Sequence, residues 1–201
     1  MTASSSPYFL VALPKAQDEF FSQAVVLVTH HDEEGAVGFM INKHVGSEDS
    51  EQTQMVAEVK DTDGNTLYEL RSDVFLGGPV SEESLFVIHN VDALGVTGEE
   101  VGENLYLSSD PETFQSLLES EELAQRRRFF VGICSWDAGQ IESETRAGTW
   151  VTVPFDKQFL FGEATYSESF VEDVWKNVLK SGGLDPLTLM GPSGDQDYGY
   201  N

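Results

Sequence analysis

Gly132-Ile-Cys-Ser-Trp-Asp-Ala-Gly-Gln-Ile-Glu142 is the stretch of sequence that decides the fold, because it joins a strand pattern to a helix pattern. The apolar run Phe129–Cys134 predicts a buried strand, Ser135–Gly139 predicts a tight turn, and the polar segment Gln140–Arg146 predicts a short helix. Junctions at which a strand passes through a glycine turn into a helix often hold ligands in α/β folds. The stretch therefore predicts both an order of elements and a position for a binding site.

Apolar runs on either side of this stretch predict further strands. The runs are unbroken rather than alternating, which is typical of strands buried on both faces. Asp32-Glu33-Glu34-Gly35 separates two of them and predicts a hairpin loop with glycine at its end. The predicted strands are Tyr8–Leu13, Val25–Thr29, Ala36–Ile41, Val74–Leu76, Leu85–His89, Leu105–Leu107 and Trp150–Val153, with a helical turn near Gln54–Val59 and a small hairpin within Val59–Leu70.

Two longer helices are predicted in the second half of the chain. The first covers residues 109–125 and opens with Asp110-Pro111, because proline suits the first turn of a helix. The second covers Ser169–Lys180 and begins with the capping-box pattern Ser-x-x-Glu. Gly182-Gly183 follows it directly and predicts its end.

The charge balance argues against several kinds of partner. The chain carries 35 acidic and 11 basic residues, for a formal net charge of −24. A field of this sign repels phosphate backbones and anionic membrane surfaces, which bind proteins through cationic contacts. The basic cluster Arg126-Arg127-Arg128 is explained by the preference of cations for the C-terminus of the preceding helix. We therefore expect neither direct nucleic-acid binding nor membrane association.

Cysteine usage and the lengths of the apolar runs indicate a cytoplasmic protein. The single cysteine, Cys134, excludes an intramolecular disulfide and is typical of a reducing compartment. No basic residue precedes the first apolar run, which is too short for a secretion signal, and no stretch approaches the length of a membrane span. No linker interrupts the chain, so we expect one domain over residues 1–201, with disordered ends at residues 1–7 and 191–201.

Three blocks of the sequence resemble, in the same order, the blocks of the AlgH/YqgE family. The first, residues 7–43, has a strand, Pro14, a hairpin with Glu-Gly and the closing pair Asn42-Lys43. The second is FLGGPVSEESLFVIHN at residues 75–90, with a Gly-Gly-Pro-Val turn. The third is GQIESETRAGTWVTVP at residues 139–154, preceded by Trp136 so that it resembles the family's Trp-x-x-Gly-Gln-Leu-Glu box.

The resemblance implies an α+β single domain in which a mixed, bifurcated β-sheet curls into a pseudo-barrel with flanking helices. It implies no established reaction. Some family members carry the label of transcriptional regulator, and the net charge of this chain argues against direct contact with DNA as the route of such regulation. The chain departs from the family at His44, where a proline is common, and at Cys134, Ser135 and Asp137, which replace mostly small residues.

Three residues are candidates for catalysis. Cys134 would act as a nucleophile if His31 or His89 lay beside it as a base. The alternative is that Cys134 is a small buried core residue at a strand end and that the histidines are structural. The histidines lack metal-binding spacings such as His-x-x-x-His, so we expect neither a metal site nor a cofactor.

The two glycine turns are candidates for a small-ligand pocket. Backbone amides at the start of a helix hold anions, and a tryptophan ring offers a stacking face. The alternative is that the glycines permit close packing of strand and helix while the tryptophan fills the core. The candidate ligand-binding residues are Gly77, Gly78, Pro79, Trp136, Gly139 and Gln140.

Two classes of function remain after these exclusions. The first is a non-catalytic binding or regulatory module for a protein partner or a small ligand, because no nucleophile–base pair is evident beside the glycine turns. The alternative is an enzyme of unknown reaction that uses a cleft between the Gly77-Gly78-Pro79 turn and the Trp136 turn, with Cys134, His31 or His89 as its reacting groups.

We expect the purified protein not to shift duplex DNA at physiological salt in an electrophoretic mobility assay. The net charge of −24 repels the phosphates, and Arg126-Arg127-Arg128 supplies few cationic contacts. Salt-sensitive micromolar binding that is weakened by replacing the three arginines would contradict this expectation.

Overall fold

The computed structural model describes residues 7–16, 18–44, 57–60, 66–70, 74–93, 95–161 and 169–190. Within these ranges the strands are β1 (Tyr8–Ala12), β2 (Val25–His31), β3 (Gly35–Met40), β4 (Ala57–Lys60), β5 (Thr66–Leu70), β6 (Val74–Leu76), β7 (Val80–His89), β8 (Glu99–Gly102), β9 (Leu105–Ser108), β10 (Arg127–Asp137) and β11 (Trp150–Pro154). The helices are α1 (Pro111–Leu118), α2 (Gln140–Ala147), α3 (Gln158–Phe161), α4 (Phe170–Ser181) and α5 (Pro186–Met190), with 3₁₀ turns at Glu19–Phe21 and Glu121–Arg126. No helix of the described ranges is both long and apolar enough to cross a membrane.

Strand β10 pairs with different neighbours along its length, and this makes the main sheet bifurcated. In its first half, Phe130 lies opposite Phe86 of the antiparallel strand β7 and opposite Phe75 of the parallel strand β6. In its second half, Trp136 lies opposite Ala36 of the antiparallel strand β3. The strand order is therefore β11-β1-β2-β3-β10-β7-β9-β8, with β6 paired to β10 beside this path. Strands β4 and β5 form a separate hairpin.

The main sheet curls until strands far apart in its order approach each other. Four strands separate β2 from β8 in that order, yet His30 Nδ1 of β2 lies 3.8 Å from Glu99 Oε1 of β8. Continuous right-handed twist produces this curvature in large sheets. The result is a half-barrel with flanking helices, which confirms the α+β class and the curled, bifurcated sheet implied by the family resemblance.

Three apolar clusters pack against the two faces of the curled sheet, one on the inner face and two on the outer face. The inner cluster joins residues from nearly every strand, from Val153 on β11 to Val101 on β8, and α4 covers it with Trp175. The outer face of β1, β2 and β3 carries a second cluster that includes Ile141 of α2. The outer face of β7 and β10 carries a third, which is covered by Phe114 of α1. Burial on both faces explains why the strands are uninterrupted apolar runs.

Helix α2 carries the chain across the outer face of the sheet. It begins after β10 and ends before β11, although β1, β2 and β3 lie between these two strands. Positive-φ glycines bound it, with Gly139 at φ +73° and Gly148 at φ +78°. Such angles favour glycine, so the two glycines fix where the helix starts and stops.

The predicted strands are confirmed, with two changes that bear on the site. Strand β7 begins at Val80 rather than at Leu85, so Val80 lies in the strand and not in the turn. Strand β10 continues to Asp137, so Trp136 lies in the strand and not in the turn, which shortens to Ala138-Gly139. The reason is that β3 extends beside it and pairs with Ser135, Trp136 and Asp137. Strand β8 was not predicted from the sequence, because Glu99 and Glu100 make it polar.

The helix predictions are partly wrong. The helix over residues 109–125 is broken after Leu118, and the Arg127 side chain donates hydrogen bonds to the Leu117 and Ser120 carbonyls at the break. The capping box of α4 is absent, because Ser169 Oγ donates to the Asp173 carboxylate at 2.6 Å instead.

The remaining predictions of local structure concern the region before β6 and the ends of the chain. The hairpin within Val59–Leu70 is confirmed by the pairing of β4 with β5. The helical turn near Gln54–Val59 is wrong from Ala57 onward, where β4 begins, and residues 54–56 lie outside the described residues. The expected disordered ends, apart from Pro7, also lie outside them.

Glycine backbone contacts fix the middle of β10. A Cβ atom on Gly132, which has φ +70°, would lie 2.3 Å from the Gly78 carbonyl oxygen. A Cβ atom on Gly78 would in turn lie 2.2 Å from the backbone of Ile133. The register with β7 shifts between Val131 and Ile133, on either side of Gly132. The two backbones therefore touch at a distance that side chains would prevent.

We expect Gly132→Ala to destabilise the protein much more than Gly139→Ala. The two positions have nearly equal φ, +70° and +73°, so the left-handed conformation costs alanine about 1–2 kcal/mol at each. At Gly139 nothing lies within 4 Å of the added Cβ, whereas at Gly132 it meets backbone. Urea denaturation of the two variants measures the difference, and equal losses of unfolding free energy would show that the crowding at Gly132 is relieved at no cost.

Candidate binding site

A cavity of about 370 Å³ lies where β10, α2 and the turn before β7 meet. Three of the candidate ligand-binding residues, Pro79, Trp136 and Gln140, line it together. The structure thus brings the Gly-Gly-Pro turn and the Trp136 segment to one cavity. The lining residues are Ala16, Asp18, Phe21, Pro79, Val80, Cys134, Ser135, Trp136, Gln140, Glu144, Thr149 and Trp150.

Glu144 organises the polar wall of the cavity. One carboxylate oxygen accepts a hydrogen bond from Trp150 Nε1 at 2.6 Å, and the other accepts one from Gln140 Nε2 at 2.7 Å. Gln140 Oε1 accepts in turn from the Asp137 backbone N–H at 2.9 Å. Positions 140 and 144 are one helical turn apart, so both side chains lie on the same side of α2. The chain of bonds ties the end of β10, helix α2 and the start of β11 into one unit.

Aromatic rings form the apolar wall. Trp136 and Trp150 meet edge to face with ring centroids 6.1 Å apart, and Phe21 meets Trp150 in the same way at 5.4 Å. Trp136 and Trp150 are 6% and 3% exposed, so the rings belong to the outer core as well as to the cavity wall. Both interpretations of Trp136 made from the sequence, core residue and pocket wall, describe part of its surroundings.

The three remaining candidate residues of the pocket lie outside the cavity lining. Gly77 and Gly78 face the backbone of β10 instead, where an added Cβ would clash with Gly132 and Ile133 respectively. Gly139 is the N-cap of α2 and has no atom within 4 Å of its Cβ position. These glycines shape the surroundings of the cavity, and the side chains of their neighbours line it.

Cys134 lines the cavity, and its thiol is hydrogen-bonded. Its Sγ donates a hydrogen bond to the Gly77 carbonyl at 3.2 Å, and the residue is buried. Burial raises the pKa of the Cys134 thiol to about 12. A nucleophilic cysteine needs the opposite shift, because the thiolate is the reactive form.

His31 and His89 have partners other than Cys134. His31 Nδ1 lies 2.8 Å from the Tyr8 hydroxyl, and its Nε2 lies 3.4 Å from Glu142 Oε1. His89 accepts from the Val91 N–H at Nδ1 and packs against Tyr106, on another part of the sheet. Desolvation lowers the pKa of His89, so the ring is neutral at pH 7. Among the described residues, no histidine hydrogen-bonds to Cys134.

A family model described as AlgH-like matches residues 9–187 of this chain. The chain belongs to the AlgH-like family. Relatives include a UPF0301 protein of Neisseria meningitidis serogroup C (strain 053442), which is 32% identical over 193 residues, with 94% of this chain and 97% of the relative covered. A UPF0301 protein of Shewanella sp. (strain ANA-3) is 30% identical over 190 residues, with 93% and 96% covered.

Two solved structures resemble this AlgH-like fold. The solution structure of the AlgH protein from Pseudomonas aeruginosa matches with a TM-score of 0.64 at 25% identity, covering 96% of this chain and 99% of that one. An X-ray structure of a Corynebacterium diphtheriae protein matches with a TM-score of 0.56 at 23% identity, covering 90% and 89%. The second likeness shows the fold alone.

Sequence reasoning missed the residues that complete the cavity of this AlgH-like protein. Glu144 and Trp150 lie in the third block, residues 139–154, and Asp18 and Phe21 lie in the first block. The spacing of Gln140 and Glu144 was a usable signal, because residues four apart on a helix meet. No local pattern predicted that the 3₁₀ turn at Glu19–Phe21 would lie beside the cavity. Its position depends on the pairing of strands from the first block with strands from the third block.

We expect the free energy of unfolding to fall as pH rises above 9, partly because of Cys134. The folded pKa of the thiol is raised from 9.0 to about 12, so its contribution to stability is present below pH 9 and is lost as pH rises through about 12. Cys134→Ala removes this titration and leaves that of Tyr8, whose pKa is raised to about 12 mainly by burial. Urea unfolding at several pH values from 8 to 11 should show that the unfolding free energy falls less steeply with pH in the variant than in the unaltered protein. Equal slopes would mean that the thiol is solvated in the folded state.

Proposed function

We propose that this AlgH-like protein is a non-catalytic binding module whose ligand occupies the cavity between Pro79, Trp136 and Glu144. The observation that carries the proposal is the wall itself: aromatic rings on one side and a hydrogen-bonded carboxamide and carboxylate on the other. Mostly apolar cavities with a few fixed polar groups are the usual form of small-molecule sites.

Preorganisation of the polar wall supports binding. Gln140 and Glu144 are held by three hydrogen bonds before any ligand arrives, and Gly139 and Gly148 fix both ends of their helix. A ligand therefore does not need to order these side chains, which is a cost that would lower its affinity. One of the three hydrogen bonds satisfies the Trp150 indole N–H, so this donor does not depend on a ligand for a partner.

The rim of the cavity supports contact with a ligand or partner from outside. Val80 is 42% exposed at the rim, and within the described residues the other large hydrophobic side chain that is exposed is Leu187 on α5. Val80 therefore offers an apolar contact to a ligand that enters the cavity.

An enzyme using the same cleft is the alternative. Cys134 is the candidate nucleophile in the cavity wall, and its donated hydrogen bond to Gly77 and its raised pKa both favour the unreactive thiol. These contacts support binding over catalysis. The buried single thiol also supports a reducing, cytoplasmic location as part of the proposal.

We expect a chemically mixed set of small molecules, containing neutral, anionic and cationic members, to include ligands for this cavity. In ¹H–¹⁵N correlation spectra, binding should shift the indole N–H of Trp150 and the backbone amides of Gln140 and Thr149. Val80→Trp should weaken this binding by narrowing the rim, whereas the control Leu187→Trp makes a similar change at another exposed position.

The outcome that would contradict the proposal is equally specific. If no molecule of any charge shifts these resonances, or if bound molecules shift resonances elsewhere and Val80→Trp has no effect, the cavity is not a binding site. Turnover of a bound molecule that is lost in Cys134→Ala would favour the enzyme instead.

A further inference from the structure

We propose that the ligand group of this cavity is a primary ammonium on an alkyl stem. The inference rests on the proposed function and adds to it the chemical class of the ligand. It depends on three features of the cavity: the charges in its wall, the surroundings of Glu144 and the aromatic lining.

The charged side chains in the wall are both acidic. Asp18 and Glu144 line the cavity, and the twelve lining residues include no lysine, arginine or histidine. A bound anion would therefore find no cationic partner and would meet two carboxylates. The net charge of −24 acts in the same direction, because it raises the local concentration of cations and lowers that of anions.

Glu144 lacks a cationic partner within the described residues. Both of its oxygens accept hydrogen bonds from neutral donors, Trp150 Nε1 and Gln140 Nε2. The nearby Lys15 donates to the Ala147 carbonyl at the end of α2. Each carboxylate oxygen has a second lone pair, so Glu144 retains the capacity to accept from an ammonium group.

Asp18 differs from Glu144 because it caps a 3₁₀ turn and has a lysine nearby. Its Oδ1 caps the 3₁₀ turn by accepting from the Phe20 N–H at 2.8 Å. Its charge also acts on Lys43, whose pKa burial lowers and Asp18 raises. Lys43 is not among the lining residues, and its Nζ donates to the Phe20 carbonyl at 2.5 Å. Glu144 is therefore the anchor for the ammonium, and Asp18 adds a weaker field at the rim.

The rest of the lining suits the alkyl stem. Phe21, Trp136 and Trp150 present aromatic surface, and Pro79 and Val80 continue the apolar wall to the rim. Aromatic rings attract cations as well as packing against methylene groups. A compact ammonium on a flexible stem matches this arrangement better than a planar guanidinium, which requires paired acceptors in a fixed geometry.

Calorimetric and NMR titrations of the full chain with n-butylammonium and with 1-butanol test the charge directly. The two molecules share the alkyl chain and differ in the charged group. We expect n-butylammonium to bind at least about tenfold more tightly, since one hydrogen bond to a charged group is worth that much. Added salt should weaken its binding and leave that of 1-butanol unchanged.

Glu144→Gln removes the charge at nearly constant volume and leaves one acceptor oxygen for the two donors, Trp150 Nε1 and Gln140 Nε2. We expect it to weaken n-butylammonium by about tenfold more than it weakens 1-butanol, because the two molecules meet the same altered wall and differ only in charge. Glu112→Gln is the control, since it makes the same change of net charge at an exposed site on α1. The comparison of the two ligands on the unaltered protein does not depend on whether Glu144→Gln folds.

The titrations also distinguish two sources of the ammonium group. They separate failure of the ammonium inference from failure of the proposed binding function. Tighter binding of Nα-acetyl-lysine methylamide than of n-butylammonium would identify a lysine side chain of a partner protein, and the reverse order would identify a free amine. Equal binding of n-butylammonium and 1-butanol, or tighter binding of an anion at the same resonances, would overturn the ammonium inference and leave the binding module standing. Absence of any ligand from the cavity would overturn both.

Discussion

The contact between the Gly77-Gly78 backbone and strand β10 is the constraint on which the rest of the structure depends. Side chains at Gly78 or Gly132 would force the two backbones apart, because each Cβ would lie within 2.3 Å of the opposing chain. Their closeness lets β10 pair with β6 and β7 in its first half and with β3 in its second half. The bifurcated sheet, and the half-barrel that it forms, follow from this contact.

The candidate site is a consequence of the same geometry. Strand β10 passes from one group of strands to the other between Ile133 and Cys134. Its last residues therefore lie beside β3, and Trp136 packs in the cluster on the outer face. Helix α2 then crosses that face to reach β11, and its Glu144 accepts hydrogen bonds from Gln140 and from Trp150 at the start of β11. The cavity lies where this crossing leaves the sheet uncovered, beside the turn at Pro79.

Much of the fold was predictable from the sequence, because its main signals are local. Unbroken apolar runs marked the strands, and the turn that ends at Gly139 marked the start of α2. The end of β10 was placed too early, since the pairing of Trp136 with Ala36 involves a strand distant in sequence. The polar strand β8 lacked the apolar pattern on which strand prediction depends.

The candidate site was predictable only in part, for a related reason. Pro79, Trp136 and Gln140 lie in conspicuous turns, whereas Phe21 and Asp18 reach the cavity through the strand pairing that joins the first block to the third. The bifurcation at β10 also has a kinetic consequence. Its partners β3, β6 and β7 all precede it by long stretches of chain, so the main sheet cannot be completed until β10 has been synthesised and closed these large loops. Sheets dominated by such distant pairings fold slowly, and β3 and β7 must wait during synthesis with hydrogen-bonding edges open.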